Sequence, residues 1–143
     1  MSSQFMMPSL SGSKGIDFSK VDFNNRKLLV TNPNHTSDNV GSVTLNTGSI
    51  LYMAYYITVK PWYSDMGLVG NYVMRYASHN CVTANNRSIY RMASISGSNI
   101  TIGTPFSGET THWESTIVYQ IFGIVGTELW SNFIGGNINY EYY

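Results

Sequence analysis

With Cys81 as its sole cysteine, the chain cannot form an internal disulfide. Charge is almost as scarce. Only 11 % of residues are Asp, Glu, Lys or Arg, against about 25 % in an ordinary soluble domain. Eight basic and eight acidic residues cancel, and neither sign forms a run. Without a basic face to collect phosphates, nucleic acid is not an expected partner. The opening MSSQFMMPSLSGSKG lacks the basic start and apolar core of a secretory leader. The longest apolar run, ILYMAYYITV, is about half of what a membrane-spanning helix requires. The expectation is a soluble protein made in the cytoplasm, with no membrane insertion.

Catalytic signatures are missing too. No hydrolase elbow, phosphate loop, dinucleotide fingerprint or zinc spacing occurs. His35, His79 and His112 are scattered. His79 stands two residues before Cys81, on the same side if the segment is extended, but SHNCVT matches no nucleophile motif, and Cys81 reads as a small packing residue. His112 and Glu114 stand at strand spacing and could share a metal; two ligands alone favour a plain hydrogen-bonded pair. The carboxylates are placed singly, so none pair for glycoside hydrolysis. The sequons at Asn34, Asn86 and Asn99 are as many as a chain so rich in Asn, Ser and Thr gives by chance. The chain reads as a non-enzyme, with no cofactor and no metal.

What remains is a polar, aromatic chain. Its 143 residues suit one domain, and at 43 % hydrophobic and 14 % aromatic it can bury a real core. A surface so poor in charge must be built from Ser, Thr, Asn and Tyr. Such surfaces occur on extracellular, virion and sugar-binding proteins, and on subunits buried in oligomers. From Arg26 onward β-branched and aromatic runs alternate with turn residues: KLLVT, GSVTL, SILYMAYYITV, LVGNYVMRYA, SIYRMASI, NITIG and STIVYQIFGI, with a weaker INYEYY. No segment sustains a 3.6-residue apolar period. The spacing predicts an all-β antiparallel sandwich, jelly-roll-like. In SISGSNITIG, Gly97 and Ser98 suit a two-residue type II′ turn. In SIYRMASI, Ile89, Arg91, Ala93 and Ile95 share one face and Tyr90 and Met92 the other, which suggests that both faces are covered.

Residues 1–24 form a separate unit rich in Ser, Gly and Met, an extended N-terminal arm ahead of a sandwich over residues 25–143. Phe5, Met6, Met7 and Leu10 are too apolar for a solvated tail and are candidate oligomer contacts. In YMAYYITVKPWYSD, residues 52–65, both faces of the strand carry bulk. One face is expected to pack internally and the other against a cover or a neighbouring subunit. Trp62 and Tyr63 follow Pro61 into a turn, where large rings are hard to bury. Together with His112 and Trp113 they are the candidate ligand-binding residues, since flat rings beside Asn, Asp and Ser suit the faces and hydroxyls of sugars. The alternative is that Trp62 and Trp113 plug the ends of the core.

The segment RKLLVTNPNHTSDNVGSVTLN, a strand, an NPN-T turn and a second strand, resembles the opening of C-terminal domains in tail-fibre and receptor-binding proteins of tailed bacteriophages and prophages. STIVYQIFGIVG stands where those domains finish, and YVMRYAS with RSIYRMASISGSNITIGTPFS looks like their polar hairpins. The resemblance spans roughly residues 26–126. It implies a virion component, commonly trimeric, at the distal end of an adsorption device. The chain departs from it in LLVTN, which has no aromatic residue before Thr31, and in about twenty residues after FGI. The resulting expectation is a fibre-tip or receptor-binding protein that contacts host-surface glycan and docks to itself or other virion proteins through residues 1–24. A capsid decoration or head-fibre protein without a ligand is the alternative, and a small carbohydrate-binding module is the next.

Overall fold

The computed structural model describes residues 16–37, 41–84, 89–107, 113–134 and 137–142. Eleven strands run through them: β1 (Arg26–Thr31), β2 (Val43–Asn46), β3 (Leu51–Tyr52), β4 (Ala54–Lys60), β5 (Val69–Met74), β6 (Cys81–Ala84), β7 (Ile89–Ser96), β8 (Asn99–Ser107), β9 (Ile117–Ile124), β10 (Glu128–Ile134) and β11 (Asn137–Tyr142). Two short 3-10 turns, Phe18–Lys20 and Trp113–Thr116, complete the described elements. None of them is a helix long and apolar enough to cross a membrane.

Every strand pair is antiparallel, in sheets ordered β1-β9-β4-β5, β2-β8-β7-β6 and β11-β10-β3. The two four-stranded sheets pack face to face as a β-sandwich. Pairing of β1 with β9 encloses pairing of β2 with β8, which gives a jelly-roll-like wrap. Further in, β4–β5 and β6–β7–β8 close as hairpins. The turn at Gly97 and Ser98 has the expected type: Gly97 carries φ 58°, and Ser98 is not among the positive-φ residues.

Between the sheets, Tyr55, Ile57 and Val59 of β4 meet Ile121 of β9, Val82 of β6 and Ile100 and Ile102 of β8. Burying such side chains stabilises by roughly 1.5–3 kcal/mol each. Two strands escape the sequence reading. Cys81–Ala84 lies inside a stretch read as a turn, and Glu128–Ile134 lies in the unread tail. Four residues are too few for a visible alternation; β6 forms by pairing with β7 along its length, and Asn71 of β5 clasps its other side. The Asn71 amide donates to Thr83 O and its Oδ1 accepts from Thr83 N. Asn80 binds both main-chain groups of Met74 in the same way, which blunts the β5 edge.

The expected cover on both faces of residues 88–95 is corrected. β7 alternates cleanly, with Ile89, Arg91 and Ala93 buried and Tyr90, Met92 and Ser94 exposed. The apparent impurity was Arg91, which lies inside at 1 % exposure. Its guanidinium donates to Gly103 O, Thr116 O and Gly41 O at 2.7–2.9 Å and to Ile102 O at 3.5 Å. Burial lowers its pKa to about 10, still well above neutrality, so it remains a charged donor. At the opposite end of the sandwich the buried Arg75 donates to Tyr52 O, Gly97 O and the Tyr55 hydroxyl.

On the outside of the first sheet, Leu28, Phe122, Tyr56 and Tyr72 form one row of cross-strand partners. Rings of Tyr56 and Tyr72 meet at 4.8 Å, and Arg26 stacks over Tyr56 at 3.8 Å. Part of the cover expected here from a neighbour comes from the chain itself. Phe23 contacts Tyr72 edge-on at 5.7 Å, Phe18 lies against Phe23, and Ile16 is buried. Residues 16–23 of the expected arm therefore lie on their own sandwich. Phe5, Met6, Met7 and Leu10 fall outside the described residues.

Arg91→Met is expected to lower the unfolding free energy by at least about 3 kcal/mol, because each orphaned buried carbonyl costs about 1–3 kcal/mol. The exposed Lys27→Met should change it little. Urea denaturation measures both, and a loss below about 1 kcal/mol for Arg91→Met would contradict this role.

Candidate functional site

Strand β4 ends because Pro61 cannot donate to the ladder, and the loop 61–68, PWYSDMGL, begins there. Lys60 is the last strand residue and, by alternation from the inward Val59, faces out. It is nevertheless only 1 % exposed, because the loop folds over it. Its ammonium donates to Pro61 O at 3.1 Å and Ser64 O at 3.2 Å and lies 3.4 Å from Asp65 Oδ1. The loop is thus wrapped around a buried cation. Trp62 N donates to Glu114 O at 3.0 Å, and Met66 N to Ser64 Oγ. Gly67, at φ 77°, turns the chain back beside the Pro61 ring.

A β-bulge supplies the floor. Opposite Thr58, β9 presents two residues, Tyr119 and Gln120, where regular pairing allows one. The Thr58 hydroxyl fills the gap, accepting from Gln120 N at 3.1 Å and donating to Gln120 O at 3.3 Å. The Tyr119 ring lies 5.4 Å from the Lys60 ammonium. His35, from the β1–β2 connection, packs on Tyr119 with ring centroids 4.7 Å apart. Its Nδ1 is sealed from solvent without a hydrogen-bond partner, 3.9 Å from Asp65 Oδ1.

The apolar side chains of this loop stand out into solvent. Tyr63 is 71 % and Trp62 38 % exposed, their rings edge-to-face at 5.8 Å, and Met66 and Leu68 are exposed as well. Beside them Asp65 is 66 % exposed on its side chain. At that exposure Trp62 is not a fully buried plug. The bond from Trp62 N to Glu114 O brings the turn Trp113–Thr116 against the loop, so two of the sequence stretches singled out for a ligand are neighbours. That turn is a 3-10 turn and not an extended segment. His112 and the Trp113 side chain lie outside the described residues. Elsewhere, His79 Nε2 lies 3.5 Å from Cys81 Sγ on the surface. Among the described residues no three His, Cys, Asp or Glu side chains gather as metal ligands.

Lys60, Asp65, His35 and Tyr119 were not singled out as a site from the sequence. Lys60 carried one signal, a lone cation directly before a Pro-led turn that holds an Asp. Tyr119 carried none, because alternation through IVYQIF hides the bulge. No family model matches the chain, and neither a curated protein nor a solved structure shows significant similarity to it.

Lys60→Met keeps the apolar stem but leaves Pro61 O and Ser64 O without their donor. Loop 61–68 is expected to loosen, seen as faster backbone ¹⁵N relaxation and earlier proteolysis there, with a stability loss of about 1–3 kcal/mol. Unchanged relaxation across the loop would show that the ammonium does not hold it.

Proposed function

We propose that this protein is a non-enzymatic recognition module of the phage or prophage fibre-tip type, which contacts host-surface glycan through loop 61–68. The observation that carries the reading is the exposed pair Trp62 and Tyr63 on a loop tied down by a buried cation. Ring stacking on a sugar costs less when the rings are already held in place, and the exposed Asp65 beside them is an acceptor for hydroxyls. Lys60 beneath the loop is committed to carbonyls and buried, so it is not offered to a substrate, which favours binding over catalysis. The resemblance of the NPN-T segment supports the virion setting.

Tyr63→Ala and Trp62→Ala are expected to weaken binding on a glycan array or to host cells while moving the melting temperature by only a few degrees. A loss of roughly 3–5 kcal/mol in stability would instead mark the rings as core. Unchanged binding with both variants folded would favour the capsid decoration alternative, which has no ligand.

The proposal includes a homo-oligomer, a trimer by the resemblance, docked through the segment that carries Phe5, Met6, Met7 and Leu10. Sparse charge leaves little to keep identical subunits apart. Because residues 16–23 pack on their own sheet, the informative truncation begins at Ile16. Light scattering is expected to show an oligomer for the full chain and a monomer for the truncated one. Two monomers would refute the oligomer, and two equal oligomers would clear residues 1–15 of a role.

A further inference from the structure

Next to the ring-bearing loop, a cleft of about 290 Å³ opens between the β1–β2 connection and the start of β9. Asn34, Ser42 and Arg91 line it on the polar side, and Val43, Ile117 and Val118 on the apolar side. Its volume falls just under the roughly 300–1,000 Å³ of pockets that enclose drug-sized molecules. At about 30 Å³ per water it has room for about ten water-sized groups, the bulk of one pyranose with its hydroxyls.

The groups around it divide into spent and open. Arg91 is spent on main-chain carbonyls. Asn32 is spent too: its amide donates to Val118 O at 2.9 Å, and its Oδ1 accepts from Asn34 N at 3.1 Å. These bonds fix the NPN turn and hold Asn34 at the rim. The side chains of Asn34 and Ser42 are exposed, and no other described residue hydrogen-bonds to them. An amide and a hydroxyl thus stand open beside the half-buried Val43, with Ile117 and Val118 buried beneath, a predominantly polar lining that suits hydroxyls. Electrostatics narrow the class. Among the described residues, the charges open at this end are Asp65 and the half-buried Glu114, while Lys60 and Arg91 are covered by the oxygens they bind. A sugar bearing a carboxylate meets like charge from these residues, and no open cation among them.

The cleft also adjoins the loop. Asn34 precedes His35, which lies 3.9 Å from Asp65, and Val118 precedes Tyr119, on which His35 packs. We propose that the cleft seats one uncharged pyranose unit of the glycan, its hydroxyls bound by Asn34 and Ser42, while a neighbouring unit stacks on Tyr63 and Trp62. This rests on the glycan-binding reading of loop 61–68 and extends it to a neutral oligosaccharide.

The test uses ¹H–¹⁵N spectra of the full chain titrated with free neutral hexoses and N-acetylhexosamines, and with the matching uronic acids. Neutral sugars are expected to shift the amides of Asn34, Ser42 and Val43, and uronic acids to leave them in place. Ser42→Phe, at an exposed position, should abolish those shifts. It should also weaken the neutral oligosaccharide that binds best on a glycan array by about tenfold, the worth of one lost hydrogen bond. Silence of the three amides toward every sugar, equal shifts with uronic acids, or an unaffected Ser42→Phe variant would each overturn the cleft assignment. Tyr63→Ala separates the two claims. If it weakens glycan binding while the cleft stays silent, the cleft assignment fails alone; if it too changes nothing, both fail.

Discussion

A guanidinium sealed between two sheets must find an oxygen for its N–H groups, because leaving a charge unsolvated in a dry core costs several kcal/mol. Arg91 meets that demand with main-chain carbonyls from β8, from the residue before β9 and from the approach to β2. Carbonyls do not move independently of their strands, so these segments are held in one arrangement. Arg75 does the same at the other end, joining the end of β3 to the β7–β8 turn. The sandwich is thereby tied at both ends by cations while its middle is apolar.

Lys60 repeats the device at the edge, beneath loop 61–68. Three of the six basic residues among the described residues, Lys60, Arg75 and Arg91, are buried, so a surface already poor in charge is made poorer. These three buried cations organise backbone and add nothing to the presented surface. The same sparse charge removes a barrier to self-association.

Close approach governs the rings that do not face solvent. Tyr52 lies flat over Gly123, where any side chain would collide with its ring, and Tyr56 lies across Gly70 in the same way. Tyr52 is buried against Tyr55; burial first, and then Glu128, raise its phenol above the ordinary pKa, so it stays neutral as a packing residue. Glycines at those two strand positions are therefore what allows a tyrosine-rich strand to sit in the middle of a sheet.

The local pattern was enough to determine the all-β class, the place of most strands and the type II′ turn at Gly97. Each depends on neighbours within a few residues: alternation, β-branched and aromatic content, or the backbone freedom of glycine. The tertiary structure alone decided the rest. It drew Arg91 inside because four carbonyls converge there, and it formed β6 because β7 pairs with it and an asparagine on β5 clasps it. It also created the bulge at Tyr119 and Gln120, since register between two strands is a property of the pair. His35, Lys60, Asp65 and Tyr119 meet for the same reason. They come from three separate parts of the chain, and only the packing of one sheet and its connections sets the distances among them.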